Sequence, residues 1–60
     1  MYYYIAHYMD MDTDEEFTRA INFDGQFFNS ELECTVYAVE KAYGLMAKNE
    51  MFCGLEFAGC

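Results

Sequence analysis

The chain has 60 residues, of which 55% are hydrophobic and 20% aromatic, and it contains no proline. This composition disfavours disorder, and the length allows one domain, residues 1–60, with a small core and marginal stability. Eleven acidic residues against three basic ones give a net charge of −8. That balance argues against direct binding to nucleic acid or to an anionic membrane, since both require a basic face.

The first part of the chain predicts a β-hairpin. Residues 2–9 are rich in tyrosine and other strand formers. Residues 10–16 carry five carboxylates, which is too polar for a buried element and predicts an exposed connection. Residues 17–23 alternate with period two and end at the turn signal Asp24–Gly25. One face of this second strand consists of Phe17, Ile21 and Phe23.

A helix is predicted to follow, beginning at Ser30. Ser30 and Glu33 form a capping box, in which the serine hydroxyl accepts the Glu33 amide and the Glu33 carboxylate reaches back to the serine amide. The helix either ends at Gly44 or continues to about Lys48, and we favour the longer version. Its predicted buried face repeats at spacings of four and three residues and comprises Leu32, Val36, Val39, Tyr43 and Met46.

A third strand over residues 51–57 completes the predicted fold. The ββαβ order predicts an α+β domain of two layers, in which one helix covers one face of a three-stranded, mainly antiparallel sheet. We expect the strand order 2-1-3, with the tyrosine-rich strand in the centre. The alternative places strand 3 parallel beside strand 2 through a right-handed crossover. One face of strand 3 is predicted to consist of Met51, Cys53, Leu55 and Phe57.

The uncovered face of the sheet is the first predicted binding surface. If the odd-numbered side chains of strand 1 (Tyr3 to Met9) face the helix, its even-numbered tyrosines face solvent. Exposed tyrosines are typical of protein interfaces, because they combine contact area with a hydroxyl group. A register shifted by one residue would bury them instead. The predicted aromatic contact residues are Tyr2, Tyr4, Tyr8, Phe52 and Tyr37.

The second predicted binding surface is acidic. Carboxylates cluster on the connection between the first two strands, and others lie along the outer part of the helix. Such carboxylates either keep a chain soluble or dock into a basic groove of a partner protein, in competition with nucleic acid. The predicted acidic contact residues are Asp10, Asp12, Asp14, Glu15, Glu16, Glu31, Glu33 and Glu40.

We predict no resident metal and no cofactor. An alternation of aspartates mimics the start of a calcium loop, but the glycine and the final glutamate of that motif are missing, so a weak divalent-cation site is the alternative to a solvated loop. The nominal zinc ligands lack the close spacing of zinc motifs; they are His7, Cys34, Cys53 and Cys60.

We also predict no enzyme. His7 and Cys53 could share the inner face of the sheet, where a Cys–His pair can act as a nucleophile. A two-layer domain of this length has little room for an enclosed pocket, so we expect both to be packed core residues.

These observations predict a protein-binding module. In size and charge the chain resembles small phage-encoded inhibitors, including some anti-CRISPR and anti-restriction proteins. That resemblance implies an inhibitor that acts as a DNA mimic towards a nucleic-acid-handling host protein. The alternative is a structural or regulatory homodimer built on the tyrosine-rich face.

The sequence also predicts a location. Three cysteines without paired spacing, no signal-peptide pattern and no apolar run of membrane-spanning length predict a cytoplasmic protein with free thiols. The location would be the host cytoplasm if the chain is encoded by a phage.

Overall fold

The three predicted strands form one antiparallel sheet. The computed structural model describes residues 1–59. Strand β2 (Glu16–Phe23) and strand β3 (Glu50–Gly59) flank the central strand β1 (Tyr2–Asp10), and helix α1 (Glu31–Gly44) covers one face. A 3-10 turn (Gly25–Phe27) leads from β2 towards the helix. The α+β fold and the strand order 2-1-3 are confirmed, and the antiparallel pairing of β1 with β3 excludes the parallel alternative.

Asp10 and Glu15 close the turn between β1 and β2, with a four-residue loop, residues 11–14, between them. The amide of Asp10 donates to the carbonyl oxygen of Glu15 at 2.8 Å, and the amide of Asp14 donates back to the carbonyl of Asp10 at 2.7 Å. Asp14 adopts a left-handed backbone conformation with φ 60°, which aspartate tolerates better than most residues. The turn is therefore fixed by its own backbone.

The length of this loop decides which face of β1 meets the helix. An even number of loop residues pairs even positions of β1 with odd positions of β2, so Tyr8 lies opposite Phe17 and Tyr4 lies opposite Ile21. Because the odd positions of β2 face the helix, the tyrosines do too: Tyr4 is 4% exposed and Tyr8 is 1% exposed. The predicted exposed tyrosine face is therefore wrong.

The helix meets these rings with its smallest side chains. The buried residues of α1 are Cys34, Ala38 and Ala42, which recur every four residues. The hydroxyl of Tyr8 donates to the carbonyl of Ala42 at 2.6 Å, and that of Tyr4 lies 3.3 Å from Thr35 Oγ1. Small residues on the helix leave the volume that large rings on the sheet occupy.

The predicted buried face of the helix is wrong, because the tyrosines of β1 occupy the space between the layers. Leu32, Val36 and Tyr43 are each at least half exposed, whereas Val39 and Met46 are partly buried. With tyrosines filling the interlayer space, the helix cannot also direct a row of large side chains at the sheet.

No helix within residues 1–59 is long and apolar enough to cross a membrane.

The ends of α1 follow the predicted chemistry only in part. Ser30 Oγ accepts the Glu33 amide at 3.3 Å, as predicted, but the Glu33 carboxylate accepts the amide of Asn29, at 2.6 Å, instead of that of Ser30. The helix ends at Gly44, so the predicted continuation to Lys48 is wrong. The chain must turn there, because Met46 packs against the core and β3 starts soon afterwards.

Strand β3 departs from strict alternation. Tyr8 pairs with Phe52 and His7 pairs with Gly54, so Cys53 is an additional residue in the strand. This irregularity turns Phe52 towards the helix side, while Met51 and Cys53 are exposed. The predicted common face of Met51, Cys53, Leu55 and Phe57 is therefore wrong.

Candidate protein-binding surfaces

The acidic loop, residues 10–16, is held in a fixed conformation. The amide of Asp12 donates to Asp10 Oδ1 at 2.9 Å. The side-chain amide of Asn49 donates to Asp10 Oδ1 at 3.3 Å and to Asp12 Oδ2 at 3.4 Å. The amide of Met11 donates to the carbonyl of Asn49 at 2.8 Å. These bonds tie the acidic loop to the segment before β3, so its carboxylates project from a defined backbone.

The carboxylates of the acidic loop are largely exposed and form no ion pair within residues 1–59. Four of its five carboxylate residues are exposed, and Asp10 is half-buried. Two ion pairs occur within residues 1–59, Arg19–Glu50 and His7–Glu56, and neither includes a residue of the loop. The loop is therefore a concentrated negative surface without an internal counter-charge.

The acidic residues of α1 lie elsewhere. The helix runs alongside β1 in the same direction, because Tyr4 contacts Thr35 near its start and Tyr8 contacts Ala42 near its end. Glu31 and Glu33 thus lie near the end of the molecule opposite the acidic loop, roughly 25 Å away at the rise of a β-strand. The predicted acidic contact residues are therefore divided between the acidic loop and α1, on which Glu40 is also exposed.

Most of the predicted aromatic contact residues belong to the core. Tyr4 and Tyr8 are buried, and Phe52 packs its ring 5.9 Å from that of Tyr8. Tyr2 is half-buried and stacks on Phe23. Of the five, Tyr37 alone is exposed. The alternative homodimer was predicted on an exposed tyrosine-rich sheet face, and these positions do not support it.

The open face of the sheet carries different residues. The odd-numbered side chains of β1 lie there, and His7 Nε2 is 3.2 Å from Glu56 Oε1. The prediction that His7 and Cys53 are packed core residues is wrong. They line a shallow cavity of about 210 Å³ on the open face. Cys53 Sγ lies 3.5 Å from the carbonyl of Met51.

The potential zinc ligands do not converge. Cys34 is on the buried face of α1, whereas His7 is on the open face of the sheet, and Cys60 lies outside the described residues. Within residues 1–59, no three His, Cys, Asp or Glu side chains come together as a metal site, and this includes the aspartates of the acidic loop.

Arg19 takes part in an ion pair on the helix side of the sheet. Its guanidinium lies 4.7 Å from the ring centroid of Tyr8 and donates to both carboxylate oxygens of Glu50, at 2.7 and 3.1 Å. These bonds lower the pKa of Glu50, with help from the Ala47 amide at 2.9 Å, and the bond to Glu50 raises the pKa of Arg19. One of the three basic side chains is thus engaged in an intramolecular ion pair.

Sequence reasoning missed a groove between the 3-10 turn and α1. Its volume is about 530 Å³, and its apolar lining consists of Phe27, Phe28, Leu32, Val36 and Tyr37. The groove was missed because Leu32 and Val36 were assigned to the buried face of the helix. A signal did exist: Cys34, Ala38 and Ala42 also recur at helical spacing, on a different face of α1.

A comparison with protein-family models, curated proteins and solved structures finds no match to this chain. Function is therefore inferred from these surfaces.

Proposed function

We propose that this chain is a protein-binding module that docks its acidic loop onto a basic surface of another protein. The observation that carries the proposal is the loop itself, with five carboxylates on a backbone held by Asn49 and by the turn hydrogen bonds. A fixed array of like charges binds with a smaller loss of conformational entropy than a mobile one. It also accelerates the encounter with a partner of opposite charge.

The partner is a protein that handles nucleic acid. Such proteins hold the phosphate backbone with Lys and Arg side chains, so they present the surface that complements this loop. A carboxylate array on that surface excludes phosphates from it. The chain thereby acts in the cytoplasm as an inhibitor of the anti-restriction or anti-CRISPR type, and the proposal requires no catalytic group and no cofactor.

Affinity capture with matched baits tests this proposal. The loop variant Asp14→Asn with Glu15→Gln removes two carboxylates that make no side-chain hydrogen bond with residues 1–59. The control, Glu31→Gln with Glu56→Gln, removes two exposed carboxylates away from the loop, of which Glu56 forms its ion pair with the solvent-accessible His7. From a lysate of the cells in which the chain is made, we expect the parent and the control to retain a basic nucleic-acid-binding protein that high salt elutes. The loop variant should retain much less of it.

The captured protein then reports on inhibition. Its affinity for DNA or RNA should fall when the parent chain is added, and fall much less with the loop variant. Equal capture by all three baits would contradict the role of the acidic loop. Unchanged binding of nucleic acid in the presence of the parent would contradict the inhibitory function.

A further inference from the structure

We propose that the groove between the 3-10 turn and α1 is a second docking site, which accepts an amphipathic helix of a partner protein. That helix would insert apolar side chains into the groove and place a Lys or Arg beside its carboxylates. This proposal goes beyond the proposed function, because the groove starts near the end of the molecule opposite the acidic loop.

The groove exposes an unusual amount of apolar surface for so small a molecule. Phe27 is 80% exposed, Leu32 is 73% exposed and Val36 is 50% exposed. Together with Tyr37 they form one apolar surface on a molecule whose whole accessible surface is 4199 Å². A contiguous exposed apolar patch is typical of an interaction site, whereas apolar residues scattered singly over a surface need no explanation.

The walls of the groove are preformed. Tyr37 packs edge-on against Phe23 at 4.8 Å between ring centroids, and Phe28 lies 5.1 Å from Tyr37. The 3-10 turn packs closely on the sheet, since a β-carbon at Gly25 would lie 1.9 Å from the ring of Tyr2 and only glycine fits there. A ligand entering the groove therefore does not have to order it first.

The shape of the groove selects a helix. Leu32, Val36 and Glu40 recur every four residues on α1, and such a row forms a ridge that packs into the side-chain grooves of another helix. An extended strand would gain little here, because the groove offers no sheet edge and the interior amides of α1 already bond within the helix.

The charges around the groove select a basic helix. Glu33 and Glu40 line it, and the nearest cation is Lys41, whose Nζ lies 5.9 Å from the ring centroid of Tyr37. A second copy of the chain would bring another net charge of −8 towards these carboxylates. A partner helix that carries Lys or Arg at the edge of its apolar face complements both the apolar lining and the carboxylates of the groove.

A single helix should bind weakly in this groove. A standard interface involves about 20–30 residues on each side, whereas eight residues line the groove. We therefore expect a transient contact, with a dissociation constant on the order of tens of micromolar.

An NMR titration with a synthetic peptide tests the proposal. The probe is an 18-residue amphipathic peptide with leucines on one face and lysines at its edges, added to the ¹⁵N-labelled chain. We expect amide shift changes concentrated in residues 27–40. Leu32→Gln should weaken binding about tenfold, because a leucine contact is lost. The control Leu45→Gln changes an exposed leucine outside the groove and should leave the affinity unchanged.

A charge exchange separates this site from the acidic loop. Glu40→Lys should weaken the lysine peptide several-fold and strengthen an analogue with glutamate at the edge positions. Shift changes centred on residues 10–16 would overturn the groove proposal and leave the proposed function intact. Equal affinities of Leu32→Gln and Leu45→Gln would also overturn it. So would concentration-dependent shifts of residues 27–40 without peptide, because the occupant would then be a second copy.

Discussion

At the scale of single residues, Tyr8 links the layers of the fold. Its ring stacks on Phe17 with centroids 5.5 Å apart and carries the Arg19 guanidinium on its face. Its hydroxyl donates to the carbonyl of Ala42 in the last helical turn, which also accepts an i to i+3 bond from the Leu45 amide at 3.3 Å. A tyrosine can be fully buried here because its polar end has a partner.

The Arg19–Glu50 pair predicts a specific pH dependence. The pKa of Glu50 is lowered below the ordinary carboxyl value near 4.5, mainly by the hydrogen bonds from Arg19. The stabilisation from this carboxylate is therefore fully present above that ordinary value and is lost as the pH falls through the lower, folded-state pKa. The difference in unfolding free energy between the parent and Glu50→Gln should be constant near neutral pH and shrink in acid.

Urea unfolding at a series of pH values measures this difference. Glu31→Gln is the control, because Glu31 is exposed and makes no ion pair within residues 1–59. It also reports the general relief of negative repulsion on acidification. A Glu50→Gln difference that follows the control at every pH would contradict the assigned pair.

At the scale of elements, the helix orientation follows from the volumes of the two layers. Ala38 and Ala42 are completely buried against the tyrosines of β1, so larger side chains cannot fit between them. The apolar row that includes Leu32 is left facing solvent. This orientation is what creates the groove.

Two substitutions test the orientation directly. Ala38→Leu should destabilise the protein by about 1–3 kcal/mol or prevent folding, since three carbon atoms must enter a packed layer. Leu32→Ala should change the stability by less than about 0.5 kcal/mol, as at an ordinary surface position. Chemical denaturation measures both. The reverse order of effects would mean that Leu32 faces the sheet.

Parts of this architecture were predictable from the sequence, for identifiable reasons. The ββαβ succession favours the strand order 2-1-3 over the parallel alternative, and the helix start follows from the hydroxyl of Ser30. The strand faces were not predictable, because they depend on whether the loop after Asp10 has an even or an odd number of residues. Both sets of β1 side chains are apolar enough to be buried, so composition does not decide between them.

The candidate binding surfaces were also only partly predictable from the sequence. The acidic loop was predictable, because five carboxylates in seven residues cannot be buried. The aromatic surface was not, because it depended on the register of β1. The groove depends on the rotation of α1, which is set by tertiary packing and not by periodicity within the helix.

At the scale of the whole molecule, the two proposed binding surfaces lie in separate regions. The molecule measures 39 × 18 × 14 Å, with the acidic loop at one end of its strands and the entrance to the helix at the other. Electrostatic attraction acts over about 10 Å in moderate salt, so the two acidic groups influence a partner independently. Changes in the loop should alter the rate of association, and changes in the groove should alter mainly the rate of dissociation.

We propose that the acidic loop guides the chain onto a basic partner. The association rate constant with the captured protein, measured from about 50 to 500 mM salt, tests this guidance. The comparison is between the parent and a variant combining Asp12→Asn, Asp14→Asn, Glu15→Gln and Glu16→Gln. We expect the parent rate to fall at least about tenfold across this range, and the variant to be slower at low salt and nearly independent of salt. Equal rates with the same salt dependence would contradict the claim.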